Sequence, residues 1–174
     1  MTNPVLENLK TRRAVRQFLP KQVEQEKLDL ILEAGTYAPT GMGKQSPVII
    51  AVQNPEMVQK LVRLNARVMH AETDPYYGAP TILLVLADPQ RGTLVEDGSC
   101  VLENMMLAAH SLGVESCWIH REREMFESEE GKALLHQWGL TQPLTGVGAL
   151  ALGYAAEELP QPKPRKEGYI VKVL

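Results

Sequence analysis

Hydrophobic positions along this chain change their spacing several times, and each change predicts an element. Val5, Leu6 and Leu9 form one stripe behind Asn3-Pro4, a capping side chain followed by proline, so a first helix runs to about Thr11. Leu28, Ile31, Leu32 and Gly35 recur at helical spacing between about Val23 and Ala38, where Pro39 ends the helix. The β-branched run Val48 to Gln53 predicts a strand, and Asn54-Pro55 opens a helix with Val58, Leu61, Val62 and Asn65 on one side. Between Pro80 and Asp88 the nearly unbroken apolar run Ile82 to Ala87 has the pattern of an interior strand covered on both faces. The longest helix follows from about Leu94 to Leu112 and stops at Gly113, then a strand runs from Glu115 to His120. Ser128 caps a helix through Trp138 that ends at Gly139, and Leu144 to Tyr154 reads as a glycine-punctuated strand.

The stretches between these elements carry the candidate chemistry. Thr11 to Phe18 holds three arginines, Arg12, Arg13 and Arg16, on a segment that Val15, Phe18 and Pro20 make extended rather than helical. A guanidinium keeps its charge and carries five donors in a planar fork, so three of them this close suit a phosphate or a cluster of carboxylates, although a solvated basic face is the plain alternative. Ala38 to Pro47 is a loop of glycines, prolines and short polar side chains, too long to be only a turn. Met69 to Ala79 is irregular, and its Tyr76 and Tyr77 could form a substrate wall or pack over the core. Arg121 to Glu124 alternates in charge and reads as a solvated turn or short helix. Leu159 to Lys166 is proline-rich and extended, and Tyr169 to Val173 reads as a terminal strand.

Composition narrows the classes. A length of 174 residues, 44% of them hydrophobic and 22% charged, is the balance of a single globular domain able to bury a core. A formal charge of −3 and 5% aromatic residues argue against a nucleic-acid partner, and the longest apolar run is too short to cross a bilayer. The two cysteines, Cys100 and Cys117, have neither C-x-x-C spacing nor a histidine at metal-ligand spacing, so neither a disulfide framework nor a metal site is expected. Residues 1–10 carry no secretory signal pattern, which makes the expected location cytoplasmic. Composition and periodicity by themselves reach a soluble α/β domain with an anion site.

Four segments go further because they resemble, in order, those of the nitroreductase superfamily. These are Arg12-Arg13-Ala14-Val15-Arg16 behind a short helix, Ala38-Pro39-Thr40-Gly41 with Gln45, the helix Glu103 to Ala109 with its following strand Ser116 to His120, and the basic tail Lys163 to Lys166. The resemblance implies an α+β three-layer sandwich, a central mostly antiparallel sheet flanked by helices, in a homodimer with FMN at the subunit interface and the C-terminal strand added to the partner's sheet. It implies an FMN-dependent oxidoreductase that reduces nitroaromatics, quinones or similar small acceptors with NADH or NADPH. A flavin-binding sensor or carrier without turnover, and a reductive dehalogenase of the same superfamily, are the alternatives.

By matching position the resemblance assigns Arg12, Arg13 and Arg165, with Lys166 and Lys163 as alternates, to the phosphate of FMN, and counts Ala14 among the residues that bind the cofactor. Arg16 would stabilise the negative charge of reduced flavin. Thr40 and Gln45 would reach the flavin held mainly by the other subunit, where Gly43 and Ser46-Pro47 stand in place of the family's asparagine and Pro-Trp. The backbone of Trp118, Ile119 and His120 would run past N5 and O4, with no side-chain acid or base assigned. Asn65 matches an asparagine on the pyrimidine edge; from the residues alone it is a core amide with satisfied partners. The small residues Gly98, Ser99, Ala108 and Ala109 would permit close approach of another helix.

Overall fold

In the computed structural model, which describes residues 3–174, the run of apolar residues becomes strand β2 (Thr81–Ala87), buried along its whole length. It pairs antiparallel with β1 (Val48–Val52) on one side and with β4 (Thr145–Gly153) on the other, and β4 pairs antiparallel with β3 (Glu115–Ile119). The order β1-β2-β4-β3 leaves β1 and β3 as edges.

Alternation along β2 divides the core in two. Ile82, Leu84 and Leu86 face a layer built on Leu61 and Leu64 of α3 (Pro55–Val68), Met125 and Phe126 of α5 (Glu122–Glu127) and Leu134 of α6 (Glu129–Gln137). Leu83 and Val85 face Leu28 and Ile31 of α2 (Gln25–Thr36) and Val101, Leu102 and Met105 of α4 (Leu94–Ser111). The three-layer α+β sandwich follows directly.

Helix α1 (Pro4–Thr11) starts as the sequence predicts, with the Asn3 side chain accepting from the Val5 and Leu6 amides. It buries none of its residues within the chain, and Val5, Leu6 and Leu9 stay exposed. Gly98 and Ala109 of α4 face the core of their own chain. A Cβ on Gly98 would lie 2.7 Å from Val147 of β4, and Ala109 is buried in the core. The predicted strand Tyr169 to Val173 is not formed within this chain and is exposed, because a strand exists only through its ladder and nothing in its own sheet pairs with it. No described helix is long and apolar enough to cross a membrane.

Candidate functional site

The arginine segment is extended, as its residues predict, and it docks on the free edge of β3. Ala14 bridges Ser116, and the Val15 amide donates to the Ser116 carbonyl at 3.0 Å. Val15 is buried, Arg12 is half-buried and Arg16 is exposed. Among the described residues no carboxylate lies within ion-pair distance of these three guanidiniums. Arg13 differs from its neighbours, donating to the carbonyls of Lys10 at 2.8 Å, Arg12 at 2.6 Å and Pro160 at 3.1 Å. Its charge is spent on bracing the start of the tail, whereas Arg12 and Arg16 keep theirs available for an anion.

Beyond Ser116 the outer edge of β3 carries no ladder, and strand alternation turns the main-chain groups of Trp118 toward that open edge, while Ile119 faces β4. The Trp118 side chain packs away from it, near Leu102 and Gly148, and its ring lies 6.0 Å from that of His120. Arg12 also sets the electrostatics behind the strand. Burial pushes the Cys117 thiol up against the opposing charges of Arg16 and Arg12, which makes it an inert core thiol. Glu115 is likewise pushed up by burial, and His110 and Arg12 pull it back. His110 ties Thr11 of α1 to Glu115 of β3, 2.9 Å on each side, so the helix that precedes the arginines is held to the sheet.

Asn65, expected on a flavin edge, has no exposed surface. Its amide nitrogen reaches the His120 carbonyl at 2.9 Å, the Tyr76 hydroxyl at 3.2 Å and Glu122 at 3.3 Å, and its oxygen accepts from Arg121 Nε at 2.7 Å. Both amide donors and the oxygen have partners inside the chain, and with no exposed surface Asn65 acts from behind the strand end. The turn read as solvated is also corrected: Glu122 is 1% exposed and receives the Tyr76 hydroxyl at 3.1 Å. It lies three and four residues before the buried pair Met125 and Phe126, and that helical spacing was the overlooked signal.

Tyr76 and Tyr77 part ways. Tyr76 is fully buried, whereas Tyr77, in the left-handed region at φ 58°, sets its ring 5.8 Å from the Arg16 guanidinium. Asp74 clamps this turn by accepting from the amides of Tyr76 at 2.7 Å and Gly78 at 2.8 Å.

The loop after α2 is built by a residue that pattern reading overlooked. Asp97 of α4, itself buried, accepts from the Gly41 amide at 2.9 Å and from the Thr93 hydroxyl at 3.1 Å. Thr40 then accepts from the Gln45 amide at 3.0 Å, across a bend in which Met42, Gly43 and Gln45 all have positive φ. Thr40 and Gln45 line a cavity of about 420 Å³ with Gly35, Pro47, Ile49 and Val101, apart from the arginine segment. A Cβ on Gly41 would sit 2.4 Å from the Thr93 hydroxyl, so Gly41→Ala forces Thr93 off Asp97. A stability loss of about 1–2 kcal/mol is expected in urea unfolding, and an unchanged midpoint would show that the loop absorbs the methyl freely.

The tail leaves β4 beside the arginine segment, with Ala156 donating to the Gln17 carbonyl at 3.0 Å, and passes Arg13 at Pro160. Arg165 and Lys166 lie beyond it on exposed chain: Arg165 donates to the Lys163 carbonyl at 3.1 Å, and Lys166 sits 5.4 Å from the Tyr169 ring. The structure therefore brings together Arg12, Ala14, Arg16 and the strand Trp118 to His120. It leaves the Thr40–Gln45 loop and the Arg165–Lys166 tail apart from them.

The sequence profile of the nitroreductase family matches residues 9–154. A nitroreductase with bound FMN from Bacteroides fragilis is 37% identical and superposes with a TM-score of 0.91 over 99% of this chain and 100% of that one. Another, from Desulfitobacterium hafniense and also with bound FMN, is 26% identical with a TM-score of 0.87 over 99% and 100% of the two chains. A Methanothermobacter thermautotrophicus protein provisionally named NADH dehydrogenase/NAD(P)H nitroreductase is 34% identical over 162 residues, 88% of this chain and 78% of that protein.

Proposed function

The chain belongs to the nitroreductase family, and from that premise we propose that it is an FMN-dependent oxidoreductase, using NADH or NADPH to reduce nitroaromatics, quinones or similar small acceptors. The observation that carries the reading is the docking of the arginine segment on the edge of β3, which gathers two unpaired guanidiniums and an open strand edge in one place. That donor set fits FMN: a phosphate needs cations without carboxylate partners, and an isoalloxazine rim needs main-chain groups not already in a ladder. When bound, the flavin supplies the hydride chemistry, accepting at N5 from the nicotinamide and donating to the oxidant.

This chain's residues bind and tune. Arg12 holds the phosphate, with Ala14 beside it; Arg165 and Lys166, which lie apart from them within this chain, are the tail's candidates for the same group. The main chain of Trp118 and of His120 borders the reacting edge, with Ile119 between them turned to β4, and the strand end is fixed from behind by Asn65 on the His120 carbonyl. Arg16 keeps a cation where reduced flavin carries negative charge, and Tyr77 steadies it. Residues 1–174 act as one FMN-binding domain, in a homodimer. Two features support the dimer: exposed Ile170, Val171 and Val173 on a tail without a ladder, and a groove of about 530 Å³ where Val5, Leu9, Tyr37 and Leu107 leave apolar surface uncovered. In it Thr40 and Gln45 reach the partner's flavin.

The deciding experiment is the visible absorption of the purified protein after adding FMN and desalting, followed by anaerobic NADH and then NADPH. Retained flavin that bleaches with either nucleotide is expected. Retained flavin that never bleaches would leave a flavin-binding protein without turnover, and absence of flavin would overturn the reading. Arg16→Ala is expected to keep FMN but lower its reduction potential by about 30 mV or more, corresponding to about 1.4 kcal/mol of lost electrostatic stabilisation. Potentiometry with no change would remove Arg16 from that role.

A further inference from the structure

At the carboxyl end of β3, on the side of α4, lies a cavity of about 310 Å³ whose polar wall is His120, Arg121, Arg123 and Glu124 and whose apolar wall is Val95, Gly146 and Val147. We propose that this cavity is a subsite for an anionic group carried by the redox partner, a phosphate on the nicotinamide donor or a carboxylate on the acceptor. The proposal rests on the flavin reading above, since it makes the cavity a neighbour of the reacting edge at His120.

Three observations support it. First, Arg121 adopts φ 85°, a conformation in which a non-glycine residue is strained by about 1 kcal/mol or more. Glycine would take that turn without strain; the arginine there instead carries a side chain to the rim of the cavity and to Asn65. Second, that side chain is aimed. Its Nε is held at 2.7 Å by the Asn65 oxygen, and Asn65 is itself fully buried and fixed by Tyr76, Glu122 and the His120 carbonyl. The remaining guanidinium nitrogens of Arg121, the whole of Arg123 and the His120 ring make no hydrogen bond or ion pair among the described residues. Third, the cavity wall holds little opposing charge. Glu122, between the two arginines, is turned into the interior, where it receives Tyr76 and Asn65 and burial pushes its carboxyl up, and Glu124 is the one acidic side chain in the cavity wall. In a chain with a net charge of −3, a cavity lined by the uncommitted Arg123 and by an Arg121 whose terminal nitrogens make no hydrogen bond among the described residues is an exception that an anion explains. The valine walls suit the flat apolar body to which such a group is attached.

The test uses the FMN-loaded protein, Arg123→Ala, and Arg123→Lys as the conservative variant. Binding is read without turnover, from the perturbation of flavin absorbance and of tryptophan fluorescence, for two pairs of ligands: NADP⁺ against NAD⁺, and 4-nitrobenzoate against 4-nitrobenzyl alcohol. The wild type is expected to bind the more anionic member of one pair about tenfold more tightly, and the advantage should shrink with salt. Arg123→Ala should remove most of that advantage without weakening the other member, and Arg123→Lys should restore part of it. The pair that responds identifies the source of the anion. Equal affinities within both pairs, untouched by Arg123→Ala, would overturn the subsite. Loss of FMN from Arg123→Ala would overturn it too, by assigning the cavity to the cofactor's own phosphate. A wild type that retains no flavin would instead bring down the flavin reading on which the subsite depends.

Discussion

Arg12→Ala is expected to weaken FMN binding roughly 10- to 100-fold, the loss that accompanies removal of a charge-assisted bond to phosphate. Arg12 is half-buried beside β3, close enough to Glu115 and Cys117 to oppose in part the upward push of burial on both, yet it has no ion-pair partner among the described residues. A cation held in that state is already partly desolvated, so an anion reaching it gains more than it would at a flexible surface lysine. Arg13→Ala is the control. Its guanidinium serves the carbonyls of Lys10, Arg12 and Pro160, so its loss should loosen the tail and cost FMN affinity less. Titration of apoprotein with FMN, followed by quenching of flavin fluorescence, measures both. Equal losses for the two variants would mean that the phosphate does not distinguish them and that the assignment to Arg12 is wrong.

Glu122→Gln should change how stability depends on pH more than it changes stability in acid. Burial pushes the Glu122 carboxyl up to about 8, against the main-chain hydrogen bond, the Tyr76 hydroxyl and the Arg121 charge that favour ionisation. In the unfolded chain the same group titrates at its ordinary value, about 4.3. Below that value both states hold the proton and the group contributes no slope. Between the two values the native state keeps a proton that the unfolded state releases, so stability falls as pH rises and levels off above about 8. The loss over that window is on the order of 3–5 kcal/mol. Glutamine is neutral throughout, so the difference between wild type and variant isolates this one group from Glu115 and every other carboxyl. Urea unfolding at about pH 5, 7 and 9 should show wild type losing ground to the variant with each step. A constant difference across that range would mean that Glu122 is not a protonated buried acid.

Much of the architecture is legible along the chain. The apolar run of β2 announced an interior strand covered on both faces, whereas the division of its cover into α2/α4 on one face and α3/α5/α6 on the other came from the packing. Asn3-Pro4, Asn54-Pro55 and Ser128 marked helix starts within a residue, because a capping side chain acts on amides two or three positions away and needs nothing else. The arginine segment was legible as extended, as its bridge to Ser116 bears out, and its charges were what raised the expectation of an anion. The network around Asn65 was not: its members, Asn65, Tyr76 and Arg121-Glu122, are spread over α3, a loop and the start of α5, and each alone has a plainer reading.

What the sequence by itself determined is therefore what local forces settle: element type, the apolar faces, the caps, and three charges that cannot be discharged. What only the tertiary structure decided is which of those charges remain free. Arg13 is spent on carbonyls while Arg12 and Arg16 are not, Glu122 is buried instead of solvated, and Asn65 is locked behind the strand it was expected to stand beside. Burial and hydrogen-bond partners come from segments distant in the chain, and the cost of an unpaired polar group in the interior is set where those segments meet, not by the residues on either side of it.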